Sequence, residues 1–494
     1  MKQNANAPKL EPTLGLITVV LLVISAIIGS GVFKKVAPMS EALGSPSLVL
    51  LCWFLAGLVT LMGALTNAEV AGLIADSGGQ YVYFKRMYGK FFAFLYGWAS
   101  FSVIQSATIA SVAYVFAGSV HSIWPLPELS ADWQNIQFLK YTTADGDVAY
   151  VFSPFKDAGI KVLTIGLITL LSVVNYRGVK YGGFIANILA STVVIAIFGL
   201  AIAGLASAAG SVDNLKETVN TEAVNTSLFS ALFAAMLSAF WAYEGWNSIG
   251  FIGAEVKNPK RNIPLALTFG VILVMFTYLT INFVYLYVSP VSEIIANKAA
   301  DPNSIAAVGV AEKIMGSYGG LAIAILIIVA TFNCTNSTIL TAPRVFFAMA
   351  KDGLFFRSVA KVHPKFHTPS TAIVFGAVWS SMLVLSGNFD QLTDMLIFAA
   401  FIFYGAGAFG VFVLRRKMKD APRPYKVIGY PVVPLLFIIF CAVLVVNTCI
   451  EMPREAGMGL VLIAAGIPFY YFWNKRAIAE GVTGDDGNDQ AAGQ

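Results

Sequence analysis

Twelve stretches of this chain are long and apolar enough to cross a lipid bilayer, and that succession constrains the fold more than anything else in the sequence. In the first half they fall at about 13–36, 46–74, 89–122, 158–175, 181–206 and 227–254. In the second they fall at about 262–288, 317–343, 370–386, 390–414, 431–450 and 457–474. A backbone inside hydrocarbon has to bond its own amides, and no ten-residue alternating pattern points to a barrel, so the runs are read as helices. Of the 494 residues 57% are hydrophobic and only 12% charged, which excludes an ordinary water-soluble domain. The fold expected is an all-α polytopic membrane protein.

An even number of spans puts both ends of the chain on one side of the bilayer. With the N-terminus inside, 23 of the 32 lysines and arginines fall inside and 9 outside, and sliding the register by one span inverts that asymmetry. Positive loops stay in the cytoplasm, so the sequence predicts a plasma (inner) membrane protein with both termini cytoplasmic. Residues 1–12 read as a tail without a removable leader. At the other end 476–494 read as a cytoplasmic tail that is disordered, being Gly, Asp, Asn and Gln beyond Gly481. The outer loop from Ile123 to Asp157 is either an ordered cap or a solvated connector, and 289–316 has room for one or two short helices.

Two of the spans carry helix-weakening residues at mid-membrane depth. In the first, Ile28-Gly29-Ser30-Gly31 sets glycines on both sides of a serine; in the sixth, Glu244-Gly245-Trp246-Asn247 sets a glycine between a carboxylate and an amide. Each span opens a five-helix unit. Broken helices at matching positions in two halves are the best sequence pointer to a transporter site at the membrane midplane. An unwound turn exposes N-terminal amides that hold a carboxylate and C-terminal carbonyls that hold an ammonium, the two charges of one zwitterionic amino acid. The competing reading is that small residues only permit close helix packing. Glu244 is either a proton relay or a carboxyl whose state never changes. Trp241 is either an aromatic lid or packing.

Other chemistry is poorly served. Cys52, Cys334, Cys441 and Cys449 are scattered through apolar runs and read as small hydrophobes. His121, His363 and His367 fall at span ends or in a loop, and Pro364 argues against a helical pair of ligands. With no phosphate loop, nucleophile elbow or metal cluster, no enzyme activity, cofactor, metal or nucleic-acid partner is expected.

Six ordered motifs carry a family resemblance: Ile28 to Phe33, Ser77 to Tyr83, Ala242 to Asn247, Glu255 to Pro264, Leu340 to Gly353, and Pro422-Arg423-Pro424. Over roughly residues 12–475 the chain resembles the amino acid, polyamine and organocation transporter superfamily, and within it the L-type amino-acid transporter family. The resemblance implies two inverted five-helix repeats, 13–206 and 227–415, followed by two extra helices over 431–475, working by alternating access and often by exchange. It implies that amides around Ser30 and Gly31 bind the substrate carboxylate, while carbonyls of Ile27, Trp241 and Glu244 face its ammonium. Trp241 takes the place of the family's outer gate and Asn247 that of a wall residue. Phe398 and Phe401 take pocket positions, joined more weakly by Phe332, Asn333 and Asn336.

Three departures matter. Val193 stands where many relatives carry a lysine, leaving Ser191 and Thr192 beside it, with Glu244, as the candidates for coupling an ion. The loop after the third span has no cysteine, so no disulfide-linked partner subunit is expected. Lys34 and Lys35 follow the first break, where an apolar half-helix is usual. The cargo expected is a small neutral amino acid, carried by exchange or uniport. A proton- or sodium-coupled symporter, or a non-transporting amino-acid sensor, is the alternative.

Overall fold

The structure is a computed structural model describing residues 10–142, 148–220, 228–300, 305–386 and 389–479. Among these, nine helices are long and apolar enough to cross a membrane, and three shorter apolar ones, Leu16–Ile27, Leu228–Tyr243 and Ser370–Leu385, fill the remaining places in the order of twelve. The first two are short because they are the leading halves of the interrupted spans.

Span 1 runs Leu16–Ile27, breaks, and resumes as Gly31–Lys34 and Val36–Leu43. It ends beyond the expected boundary at 36. Lys34 and Lys35 close the apolar run in the sequence, yet Met39 and Leu43 are buried and carry the helix on to Gly44, which ends it at φ +57°. Span 2 is Pro46–Leu73 and span 7 is Pro259–Val288, each with proline in the first turn, where its missing N–H costs nothing. Spans 4, 5, 8, 10 and 11 are Ala158–Tyr176, Val179–Ala206, Ser317–Thr341, Phe389–Lys417 and Val432–Glu451. Span 9 is Ser370–Ser386, and span 12 is Pro453–Ala464 continued by Gly466–Ala479.

Span 3, from Lys90 to Ile123, contains a widened π-type turn at Ser100–Ile104. Its cause is local. The Ser106 hydroxyl donates to the carbonyl of Phe101 at 2.7 Å, and the Trp379 indole N–H from span 9 donates to the carbonyl of Ser102 at 3.1 Å. Side chains thereby take over bonds that a regular ladder would have made. Spans 3, 8 and 9 pack around a second cluster that includes Ile109, Ile339, Ile373 and Val384. Large side chains such as Phe184, Ile195 and Ile202 on span 5 stay exposed, as a lipid-facing surface requires.

The all-α bundle stands as expected, and the described residues of the loop between spans 3 and 4 add a small element to it. The loop holds a short helix, Ala131–Gln134, and a two-stranded antiparallel ribbon, Leu139–Thr142 with Val148–Phe152. The Lys161 ammonium donates to the carbonyl of Ser153 at 2.8 Å, and the Tyr114 hydroxyl to Asp157 Oδ2 at 3.0 Å. These bonds anchor the loop to spans 3 and 4. Between spans 7 and 8 lie two short helices, Val291–Ala300 and Ala306–Met315, in line with the sequence reading. Of the tail expected to be disordered, 476–479 instead continue the helix of span 12, and 480–494 lie outside the described residues.

At the end of the bundle where span 1 begins, the backbones of spans 1 and 6 are stitched together. Thr13 and Leu14 N–H donate to the carbonyl of Glu255 at 2.9 and 3.0 Å, and Lys257 N–H returns to Leu14 O at 2.8 Å. Beneath this seam Arg344, fully buried, makes a two-pronged pair with Glu255, Nε to Oε1 at 2.8 Å and Nη2 to Oε2 at 3.1 Å. Nearby, Asp352 receives the Tyr81 hydroxyl at 2.9 Å and the Lys85 ammonium at 2.7 Å. Tyr81 lies on Gln80–Tyr88, between spans 2 and 3. Burial, then the charge of Asp352, pushes its pKa well above the usual value, so it stays a donor. This end is shut.

Candidate functional site

Span 1 loses its helix at Ile28, which turns to φ −76° and ψ 93° while its N–H still reaches Ile24 O at 2.8 Å. Helix restarts at Gly31. Among the described residues, the amides of Gly29, Ser30, Gly31 and Val32 meet no backbone carbonyl. They form the open N-terminus of the second half-helix, a ready place for an anionic group. Span 6 stops at Tyr243, and Gly245 takes φ +99°, which only glycine adopts without strain. Beyond it the chain does not return to α-helix as expected over 227–254. It winds through two tight turns, Ser248–Phe251 and Gly253–Glu255.

The two breaks touch reciprocally. A Cβ placed on Gly31 would lie 2.6 Å from the Cα of Ala242, just before the span 6 break. One placed on Gly245 would lie 2.5 Å from the carbonyl oxygen of Ala26, just before the span 1 break. Each glycine of one span therefore sits on the last helical turn of the other. Contact this close needs hydrogen in place of a side chain on both.

Tyr278 of span 7 locks the junction. Its hydroxyl lies 3.1 Å from the carbonyl of Ile27 and 2.9 Å from that of Ala242, so one phenol serves acceptors freed in both spans. The ring is packed by Trp53 and Tyr243 at centroid distances of 5.4 and 5.0 Å. The sequence reading missed Tyr278, because a tyrosine within a 30-residue apolar helix looks like packing. Tyr278→Phe is expected to destabilise the fold by about 1–3 kcal/mol, the cost of leaving buried carbonyls unmet. Thermal unfolding in detergent measures it, and unaltered stability would show the hydroxyl to be incidental.

Glu244 is 7% exposed and its side chain reaches span 10. Its Oε1 accepts the Tyr404 hydroxyl of span 10 at 2.6 Å. It borders a cavity of about 10 Å³ with Thr60, Phe401 and Phe437, enough for about one water. Its carboxyl thus braces the break to span 10, and its backbone stays with the break. The carbonyl of Trp241 accepts the Glu244 N–H at 3.3 Å, and Ile27 O accepts Tyr278. Each oxygen keeps a second lone pair for a ligand. Trp241 is partly buried.

The remaining candidates separate. Asn247 and Asn333 are buried with one side-chain oxygen each unpartnered, and Asn333 Nδ2 donates to Ser25 Oγ at 2.9 Å, beside the first break. Cys334 directs its thiol to the carbonyl of Ala26 at 3.3 Å. Asn336, by contrast, is spent on a helix-to-helix tie: Nδ2 donates to Gly182 O at 3.0 Å and Oδ1 accepts Asn175 at 2.9 Å. Phe401 packs on Phe240 at 4.7 Å, Phe398 is fully buried, and Phe332 faces Phe116 of span 3 at 6.1 Å. Thr192 is exposed toward the lipid side and its hydroxyl returns to Ile188 O, while Val193 is the buried residue. Ser191 returns its hydroxyl to Asn187 O at 2.9 Å.

Comparison with known proteins follows the same outline. A profile of the amino acid permease family matches residues 14–472. The serine/threonine exchanger SteT of Bacillus subtilis (strain 168) is 33% identical over 470 residues, covering 94% of this chain and 98% of that protein. The b(0,+)-type amino acid transporter 1 of Homo sapiens is 28% identical, covering 95% of this chain and 90% of its own length. The large neutral amino acids transporter small subunit 2 of Homo sapiens is also 28% identical, covering 94% and 82%. With nine long and three shorter apolar helices among the described residues, two spans broken against each other, and a family profile along nearly its whole length, the chain belongs to the amino acid permease family and is a multi-pass membrane transporter, not an enzyme.

Proposed function

We propose that this protein exchanges small neutral amino acids across the plasma (inner) membrane by alternating access, with both termini cytoplasmic. The observation that carries the reading is the reciprocal seating of Gly31 on Ala242 and Gly245 on Ala26, which brings unspent amides and freed carbonyls together at one junction. Amides around Ser30 and Gly31 hold the carboxylate, and the carbonyls of Ile27, Trp241 and Glu244 receive the ammonium. Asn247, Asn333, Phe398 and Phe401 wall the side chain, with Phe332 farther out, while Asn336 supports the wall from behind. The repeats 13–206 and 227–415 rock about this point, and the seam from Leu14 to Glu255 opens on the cytoplasmic side. No disulfide-linked partner is required.

The names of three relatives, one a serine/threonine exchanger and one a transporter of large neutral amino acids, support the cargo class. Counterflow of labelled serine, threonine or leucine into liposomes tests it. Exchange requires trans-stimulation by the unlabelled amino acid, which a sensor or channel does not give. Trp241→Ala is expected to slow counterflow about tenfold with normal yield of folded protein, as for loss of an aromatic lid. A fall in yield alone would reduce Trp241 to packing.

A second reading, ion-coupled symport, is favoured by the buried Glu244 carboxyl and the water-sized cavity at its side. Uptake that follows an imposed proton or sodium gradient supports it. Glu244→Gln is then expected to flatten the pH profile of uptake, whereas an unchanged profile keeps Glu244 a brace. Of the pair Ser191 and Thr192, Ser191 is the sodium candidate on this reading, since Thr192 faces outward.

A further inference from the structure

A groove of about 800 Å³ runs between spans 4 and 9 on the outside of the bundle, and none of its lining residues belongs to the broken-helix site. Val173, Val378 and Met382 form its walls and are about half exposed, so in a bilayer they face acyl chains. One end is different. There the groove reaches Tyr176, Arg177 and Phe366. Thr368 of the loop before span 9 donates its hydroxyl to the carbonyl of Tyr176 at 2.8 Å, and the Tyr176 ring packs on Phe366 at 6.0 Å. Lys365 lies over that same Phe366 ring, its Nζ 5.7 Å from the centroid.

Arg177 lines the mouth of the groove and Lys365 neighbours Phe366 there, with Lys180 at the start of span 5, all exposed. Among the described residues none of the three pairs with a carboxylate; the acid that reaches this rim, Glu11, is turned to His367 at 3.7 Å. One turn into the groove from Tyr176 sits Ser172, itself 7% exposed, whose hydroxyl is buried with no hydrogen-bond partner. Cations at the mouth, an unmet hydroxyl one turn deeper and an apolar trough beyond follow the polarity profile of a phospholipid. A wholly apolar transmembrane helix laid in the same groove would leave the cations without a counter-charge.

We infer that this groove is a binding site for an anionic glycerophospholipid. The phosphate lies between Arg177 and Lys365, an ester carbonyl accepts from Ser172, and an acyl chain follows Val173, Val378 and Met382. The site ties span 4 to span 9 and draws on the attraction of basic residues for anionic headgroups.

Delipidated protein in neutral detergent, titrated with dioleoyl phosphatidylglycerol or dioleoyl phosphatidylcholine and read by native mass spectrometry, tests the inference. The wild type is expected to bind the glycerol lipid about tenfold more tightly than the choline lipid. The double variant Arg177→Gln, Lys365→Gln is expected to bind the two alike, and Arg177→Lys, which keeps the charge, to retain the preference. Both cations are exposed, and monodispersity in size exclusion verifies that the variants fold. Equal binding by the wild type, or a preference that survives in the double variant, overturns the site. So does a photo-cross-linker at Met382 that captures a polypeptide in native membranes instead of lipid.

Discussion

Gly31→Ala is expected to lower counterflow at least tenfold, because its new methyl has nowhere to go. The atom it meets is the Cα of Ala242 at 2.6 Å, backbone of a packed span rather than the end of a flexible side chain. Normal carbon contact is about 3.5–4.0 Å, so the breaks must part by roughly 1 Å, and misplacement of that size is enough to spoil a positioned site. Gly29→Ala supplies the contrast. Its methyl would meet the Cys334 sulfur at 3.3 Å, a side chain able to yield a few tenths of an ångström. The expected result is a several-fold gap in initial counterflow rate between the two variants at equal amounts of folded protein. Equal rates would mean that the closeness of spans 1 and 6 does not govern transport.

The second large effect is at Arg344. Its guanidinium is fully buried, held by both oxygens of Glu255 and by the carbonyl of Leu340. Removing one partner of such a pair strands the other charge, at a cost of about 3–5 kcal/mol. Arg344→Met or Glu255→Leu alone is therefore expected to lower the thermal unfolding temperature sharply. The double variant, which strands no charge, is expected to recover much of the loss. If either single variant unfolds like the wild type, the pair does not hold this end of the bundle together. Because Glu255 also receives the amides of Thr13 and Leu14, the opening proposed on this side would have to separate span 1 from the end of span 6.

The breaks were visible in the sequence because glycines weaken a helix and a carboxylate is costly in hydrocarbon, so neither belongs in a plain apolar span. Both were placed to within a residue or two: Ile28 and Gly29 lie outside helix, and so does the chain from Glu244 to Asn247. What followed each break was harder to read. Apolar character past Asn247 looks the same whether the chain makes one regular helix or two tight turns, and charge at Lys34 and Lys35 hides a helix held by Met39 and Leu43. The site residues divide by the same logic. Asn333 and Asn336 are three apart on span 8 and equally polar, yet one turns to the break and the other to Gly182. Ser191, Thr192 and Val193 point in different directions around span 5, so adjacency in sequence says nothing about which reaches the interior. Tyr278 was beyond reach, since its acceptors lie 251 and 36 residues away.

Tyr278 has one hydrogen and two suitors. At any instant the phenol can satisfy the oxygen of Ile27 or that of Ala242, and the one left out faces a lone pair. On the proposed rocking of one repeat against the other, the hydrogen can rotate to whichever oxygen stays. The joint therefore loosens without going wholly undone, which keeps the energetic step between its two postures shallow.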